Sequence, residues 1–231
     1  AVVVHFRTCS GEPNRLARSY HAGDTEELDW ILLKLARRYP DVPRYAAGVS
    51  LGGNALLCWL GKQGPSAHKL LDKAVAISAP LDLAAAGEAL EQGFSRIYAQ
   101  YLLRSMRRTA SKKAERFPNL FDAPRAINAR TLREYDDAYT APLHGFLGVA
   151  DYWAKASSKP LLQHIALPTL ILNARNDPFL PAKALPGRFE VSPMVLLEQP
   201  EEGGHVGFVT GAFPGKLDWL PERLMDFFGE R

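Results

Sequence analysis

The stretch Tyr45–Asn54 reads YAAGVSLGGN and contains Gly48-Val49-Ser50-Leu51-Gly52, a pentapeptide of the form G-x-S-x-G. A short apolar run, Tyr45 to Ala47, leads into it, and the helix-compatible run NALLCWL, Asn54 to Leu60, follows. A serine on so short a turn between a strand and a helix sits at its apex, with the hydroxyl directed out of the sheet. The positions two before and two after the serine are expected to pack closely on the turn, and glycine at both removes bulk. Gly53 is expected to relieve crowding where the helix begins. Taken alone, the pentapeptide also fits a strand–helix loop without chemistry, because glycine–serine turns are common.

Working outward, the chain alternates strand and helix. Ala1–Phe6 (AVVVHF) is apolar and β-branched and predicts a buried strand; Arg7–Asn14 is a turn-rich loop. A helix opens near Gly23-Asp24-Thr25, with Asp24 or Thr25 as N-cap, and places Leu28, Ile31, Leu32 and Leu35 on one face. Gly61–Pro65 breaks the helix after the serine, and Lys73–Ser78 (KAVAIS) predicts the next strand. That order favours a parallel sheet with helices on both faces. Residues 82–116 are then rich in helix formers, and residues 117–142 are irregular, with Pro118, Pro124 and Pro142. This insertion is too long for a simple crossover and is read as a helical cap over one sheet edge, a plain helical excursion being the other reading. A helix over 145–157, strands at Pro168–Asn173 and Met194–Glu198, and a helix from about Leu217 to Phe228 complete the pattern. The expected organisation is one α/β domain: residues 1–80 and 143–231 form the core, and 81–142 the cap.

Composition narrows the classes. Of 231 residues 47% are apolar and 23% charged, as in an ordinary globular protein. The net charge of +3 makes no case for nucleic acid. The basic run Arg104–Lys113 (RSMRRTASKK) is read as a solvated helix face, with an anionic surface partner as the alternative. Two cysteines, Cys9 and Cys58, make no disulfide framework and suit a reducing, cytoplasmic setting; Cys58 reads as a small buried hydrophobe. No apolar run approaches the roughly 18 residues of a membrane span. The chain opens on AVVV without methionine, so the first strands of the sheet, with any targeting segment or anchor, are expected to lie outside it.

Three residues fall at the carboxyl ends of three predicted strands: Ser50, Asp177 in ARNDPFLP, and His205 in QPEEGGHVG. Ligands of open α/β sheets bind at that edge. A neutral serine needs a base within hydrogen-bond reach, and the base needs an orienting acceptor. Gly203-Gly204 would let the loop carry the imidazole over the serine, and Asp177 lies between Asn176 and Pro178. Singly, Asp177 fits a turn and His205 a loop histidine; together, in this order, they favour a hydrolytic triad. The remaining histidines, His5, His21, His68, His144 and His164, read as structural or surface residues. No metal or organic cofactor is implied.

The segments GVSLGGN, NARNDPF and GGHVGF resemble the α/β-hydrolase superfamily. FRTCSGEPN (residues 6–14) with Tyr20-His21, YDDAYTAPLHGF (135–146) and DYWAKAS (151–157) narrow the resemblance to its YheT-like branch of predicted esterases, related to the eukaryotic ABHD1/2/3-type lipid hydrolases. The similarity spans nearly the whole chain; glycine is usual in that branch where Thr8 stands here. It implies an α/β-hydrolase fold with a mostly parallel sheet and a helical cap. It also implies Ser50 as nucleophile, Asp177 as acid, His205 as base and the Leu51 N–H as one oxyanion donor. The second donor would come from a His-Gly-type loop preceding Ala1. The same resemblance gives DDAYTAPLHGF a part in closing the site, whereas Asp136, Asp137 and His144 on their own read as a hydrogen-bonded hinge. The implied activity is hydrolysis of a small-molecule carboxylic ester with a hydrophobic acyl chain, short to medium or lipid-like. Phe94, Ile97, Tyr98, Tyr101 and Leu102 fit such a chain and fit core packing equally. Acyl transfer by the same triad, and a catalytically impaired hydrolase-fold binding protein, are the competing readings.

Overall fold

The structure is a computed structural model and describes residues 1–12 and 14–229; Pro13, in the expected turn-rich loop, lies outside them. Four strands, β1 (Tyr45–Val49), β2 (Lys73–Ile77), β3 (Thr169–Leu172) and β4 (Val195–Glu198), form one sheet in the order β1-β2-β3-β4, every pair parallel. The helices are α1 (Glu26–Arg38), α2 (Leu51–Gln63), α3 (Leu83–Leu90), α4 (Ser95–Arg116), α5 (Ala123–Ile127), α6 (Leu132–Tyr135), α7 (Ala141–Leu143), α8 (Val149–Ala156) and α9 (Trp219–Gly229). Val49 lies opposite Ile77, Ile77 opposite Leu172, and Leu172 opposite Glu198, so the four strands end flush. Whatever follows each strand therefore leaves from the same edge.

The chain forms two compact units, Ala22–Ala86 with Ala156 onward, and Ala1–His21 with Gly87–Lys155. In the first, side chains alternate across the sheet, as pleating requires. Ala74, Ala76 and Ile171 pack with Leu32 of α1 and Leu56, Leu57 and Leu60 of α2. Val75, Ile77, Leu170 and Leu172 pack on the other face with Phe227 of α9 and with Phe208. Burial on both faces explains why, after Lys73 and Thr169, AVAI and LIL are continuous apolar runs without polar alternation. Helix α2 is buried from Gly53 through Gly61, so its apolar character runs all the way round. Helix α1 carries Glu26, Glu27 and Asp29 in its first turn and Arg37 and Arg38 in its last, matching its dipole. Its N-cap is Thr25, whose side chain makes no capping bond.

The second unit is discontinuous in sequence. The first 21 residues belong to one compact unit with 87–155. Ala1–Phe6 forms no strand, and Val2 and Val3 are 62% and 80% exposed. β-Branched composition favours a pleated, half-buried surface only where a partner strand supplies a hydrogen-bonding edge; among the described residues none pairs with this segment. Leu103, Ala110, Ala126, Ala129, Tyr135, Ala138 and Tyr139 form the core of this unit. The N-terminal segment is tied to it by Ser19 Oγ against Tyr139 Oη (2.8 Å) and by Lys113 Nζ, which donates to the carbonyls of Ala17 (2.7 Å), Arg18 (3.2 Å) and Leu16 (3.4 Å). The basic run is thus not wholly a solvated face. Lys113 is buried, and desolvation, with repulsion from Arg116 and Arg7, lowers its pKa.

Asp136–Thr140 adopts a π-helical turn. Asp136 accepts from Thr140 Oγ1 (2.6 Å) and Trp153 Nε1 (2.8 Å), and burial, partly opposed by those bonds, raises its pKa to about 6. Asp137 accepts from the Val149 N–H (3.0 Å) and from Arg125 (2.7 Å); the backbone bond leads in lowering its pKa. His144 packs 4.6 Å from the ring of His21, and its Nε2 is buried without a hydrogen-bond partner. Burial, then repulsion from His21, Arg18 and Lys113, pulls its pKa down to about 4.

Candidate active site

Ser50 lies between β1 and α2 with φ 51° and ψ −121°, a conformation costly for a residue with a Cβ. The surroundings hold it there: its N–H donates to the Ile77 carbonyl (2.8 Å), and its carbonyl accepts from the Asn54 N–H (3.1 Å). A Cβ at Gly48 would lie 2.5 Å from the Gly52 carbonyl oxygen and 2.8 Å from Gly53 Cα. One at Gly53 would meet the Ala79 methyl and the Gly48 oxygen at 3.0 Å. The expectation for Gly52 is corrected, since a Cβ there meets nothing within 4 Å outside its own helix backbone. Crowding on this turn falls on positions 48 and 53, because position 52 is already on the helix and points away from the strand.

Asn54, fully buried, fixes the start of α2. Its Nδ2 donates to the carbonyls of Ala22 (2.9 Å) and Ala156 (2.8 Å), and its Oδ1 accepts from the Ser158 N–H (3.0 Å). Cys58, one turn on, is buried, and desolvation pushes its thiol pKa up to about 12, so it is a packing residue here.

The loop after β3 carries Asp177, whose side chain is fully buried; Oδ1 accepts from the Phe179 N–H (2.8 Å). The loop after β4 carries His205. Gly203 is needed there, because a Cβ would lie 2.6 Å from the Phe208 ring and 2.8 Å from the Ala174 methyl. The two loops are joined by Asn176, whose Oδ1 accepts from the N–H groups of Gly203 (3.0 Å) and Gly204 (2.8 Å). The Phe179 ring lies 4.2 Å from the imidazole, centroid to centroid.

These loops bring the three distant side chains together. His205 Nε2 is 3.0 Å from Ser50 Oγ, and Nδ1 is 2.9 Å from Asp177 Oδ2 and 3.2 Å from Oδ1. A carboxylate only accepts, so Nδ1 carries the proton, which leaves Nε2 of a neutral ring to accept from the serine hydroxyl. Leu51 opens α2, where a backbone N–H has no intrahelical acceptor. His68 lies elsewhere, bonded to the Ala166 carbonyl (2.8 Å). Among the described residues no group of three or more His, Cys, Asp or Glu is placed to hold a metal ion.

Asn176, Asn54 and Phe179 escaped the sequence reading. Asn54 and Asn176 stand inside quoted motifs, but their roles depend on loops far away in the chain.

The family model of the alpha/beta hydrolase fold matches residues 3–212 of this chain. The chain belongs to the α/β-hydrolase fold family. It is 41% identical over 228 residues to the predicted esterase YheT of Escherichia coli (strain K12), covering 98% of this chain and 66% of that protein. It is 31% identical to the phospholipase ABHD3 of Bos taurus, covering 98% of this chain and 55% of that one. The chain thus spans somewhat over half to two thirds of the length of these relatives. Among solved structures, an alpha/beta fold family hydrolase from Bacillus anthracis str. Sterne superposes with a TM-score of 0.52 at 13% identity, over 96% of this chain and 78% of that one. That likeness is one of fold. No helix among the described residues is long and apolar enough to cross a membrane.

Proposed function

We propose that the chain carries the catalytic machinery of a serine hydrolase acting on carboxylic esters. Ser50 Oγ attacks the ester carbonyl carbon as His205 Nε2 takes its proton, and Asp177 holds the imidazole and stabilises its positive form. The developing oxyanion receives a hydrogen bond from the Leu51 N–H. His205 then returns the proton to the leaving alcohol. A water, deprotonated by the same imidazole, attacks the acyl carbon, and the acid leaves as Ser50 Oγ takes that proton back from His205. The observation that carries this reading is the 3.0 Å approach of His205 Nε2 to Ser50 Oγ with a buried carboxylate 2.9 Å behind Nδ1. The names of the two relatives, an esterase and a phospholipase, favour an ester with an apolar acyl chain.

The test is turnover of short- and medium-chain p-nitrophenyl esters, with labelling by a fluorophosphonate probe, in the wild-type chain and Ser50→Ala. Wild type is expected to turn over and label, and Ser50→Ala to do neither. Equal turnover or equal labelling by the two proteins removes Ser50 from the mechanism. Turnover without labelling of wild type does so as well.

A further inference from the structure

Helix α4 has two faces of different fate. Ser95, Ala99, Leu103, Ala110 and Lys113 are buried. Ile97 and Tyr101 lie on the opposite side and are exposed, Tyr101 at 74%; the N-cap Phe94 (85%), Tyr98 and, nearer the buried face, Leu102 are exposed too. Their exposure sets aside the core-packing expectation for them. At about 3.6 residues per turn, the row 97, 101, 104, 108, 112 falls on one stripe. Its first part is apolar and aromatic, and its second consists of the exposed cations Arg104, Arg108 and Lys112. Over its whole length α4 carries seven Lys and Arg against one Glu.

We propose that this stripe of α4 is a docking surface for an anionic lipid bilayer. A contiguous exposed apolar patch on a monomer marks an interaction site, and the charge of its neighbours selects the occupant. Tyr98 and Tyr101 have an apolar ring and a polar tip, which suits the depth of the headgroups. Phe94 and Ile97 enter the acyl boundary, and the three cations meet lipid phosphates further along the stripe. A second copy of this chain would bring the same excess of cations to the contact, three of them on the stripe against the one exposed acid that continues it, Glu115. The inference does not depend on Ser50 being a nucleophile.

The experiment is co-flotation of the full chain with phosphatidylcholine vesicles, with and without phosphatidylglycerol, at low and high salt. Wild type is expected to float with the anionic vesicles only, and less at high salt. Arg104→Gln/Arg108→Gln/Lys112→Gln is expected to bind on the order of a hundredfold more weakly, from about fivefold per cation. Ile97→Ser/Tyr101→Ser is expected to lose flotation while keeping its helical circular dichroism and fluorophosphonate labelling. Tyr101→Trp, a milder probe, is expected to shift its emission to the blue on adding anionic vesicles. The proposal is overturned if wild type stays with the aqueous fraction, if both vesicle types bind equally, or if neither multiple variant weakens binding. Self-association without lipid that Ile97→Ser/Tyr101→Ser abolishes would assign the stripe to a second copy and overturn it too.

Discussion

Asn176→Ala tests how the proposed histidine loop is held over the serine. The Asn176 Oδ1 accepts from two backbone N–H groups, at 3.0 and 2.8 Å, in the turn just before His205. Both bonds are near the surface, where each contributes a net of about 0.5–1.5 kcal/mol. Their loss should therefore disfavour the observed loop arrangement by about 1–3 kcal/mol. At about 1.4 kcal/mol per decade this is a fall of roughly 5- to 150-fold in the equilibrium constant for the competent loop, which is the upper limit on the fall in its population. Because the cost lies in one loop, the unfolding midpoint should move little. The assays are kcat/KM on a p-nitrophenyl ester and the second-order rate of fluorophosphonate labelling. Both need His205 Nε2 beside Ser50 Oγ, so both should fall by the same factor. Asn176→Asp keeps an acceptor at the same place and should stay within a few-fold of wild type. Labelling of Asn176→Ala within twofold of wild type, or Asn176→Asp as impaired as Asn176→Ala, would refute the argument.

Two further outcomes follow from the same coordinates. Gly48→Ala should destabilise the chain by about 1–3 kcal/mol, since its methyl would meet backbone at 2.5 Å, whereas Gly52→Ala, with nothing within 4 Å, should be neutral or gain up to about 1 kcal/mol from helix propensity. Urea unfolding of the two variants measures this, and equal losses would contradict it. Asp136 and His144 should pull acid stability in opposite directions. The folded state keeps a proton on Asp136 up to about pH 6 that the unfolded chain releases near 3.8, so this residue's contribution falls as pH rises through that window, by roughly 2–3 kcal/mol at most. The folded state refuses His144 a proton down to about pH 4 that the unfolded chain takes up near 6.5, so its contribution is lost as pH falls. Relative to wild type, His144→Gln should gain stability on going from pH 7 to pH 4.5 and Asp136→Asn should lose it, measured by urea midpoints at the two values. Shifts of the same sign in both variants would show that these groups do not govern the acid limb.

Much of the site was legible because its local geometry is written in adjacent residues. A strained turn needs Gly48 and Gly53 around Ser50, and a histidine loop that passes close to the Phe208 ring needs Gly203. Strands buried on both faces are continuous apolar runs, so AVAI and LIL announce themselves. The N-terminal run AVVVHF misled for the complementary reason: composition describes a surface that suits a sheet, while hydrogen bonding to a neighbour decides whether a strand forms. From sequence Lys113 reads as solvated because its neighbours are basic, yet three backbone carbonyls nearly a hundred residues away accept its protons.

The sequence by itself determined the parallel α/β alternation, the serine turn, and the candidate acid and base at the ends of later strands. All of these follow from short-range periodicity and turn chemistry. Only the tertiary structure decided that the strands end flush, so that loops 127 and 155 residues beyond Ser50 carry Asp177 and His205 back to its hydroxyl. It alone assigned Asn54 and Asn176 their partners, and it alone left the apolar half of α4 in solvent. Such outcomes depend on which distant backbone groups meet in space, and no local pattern of side chains encodes that.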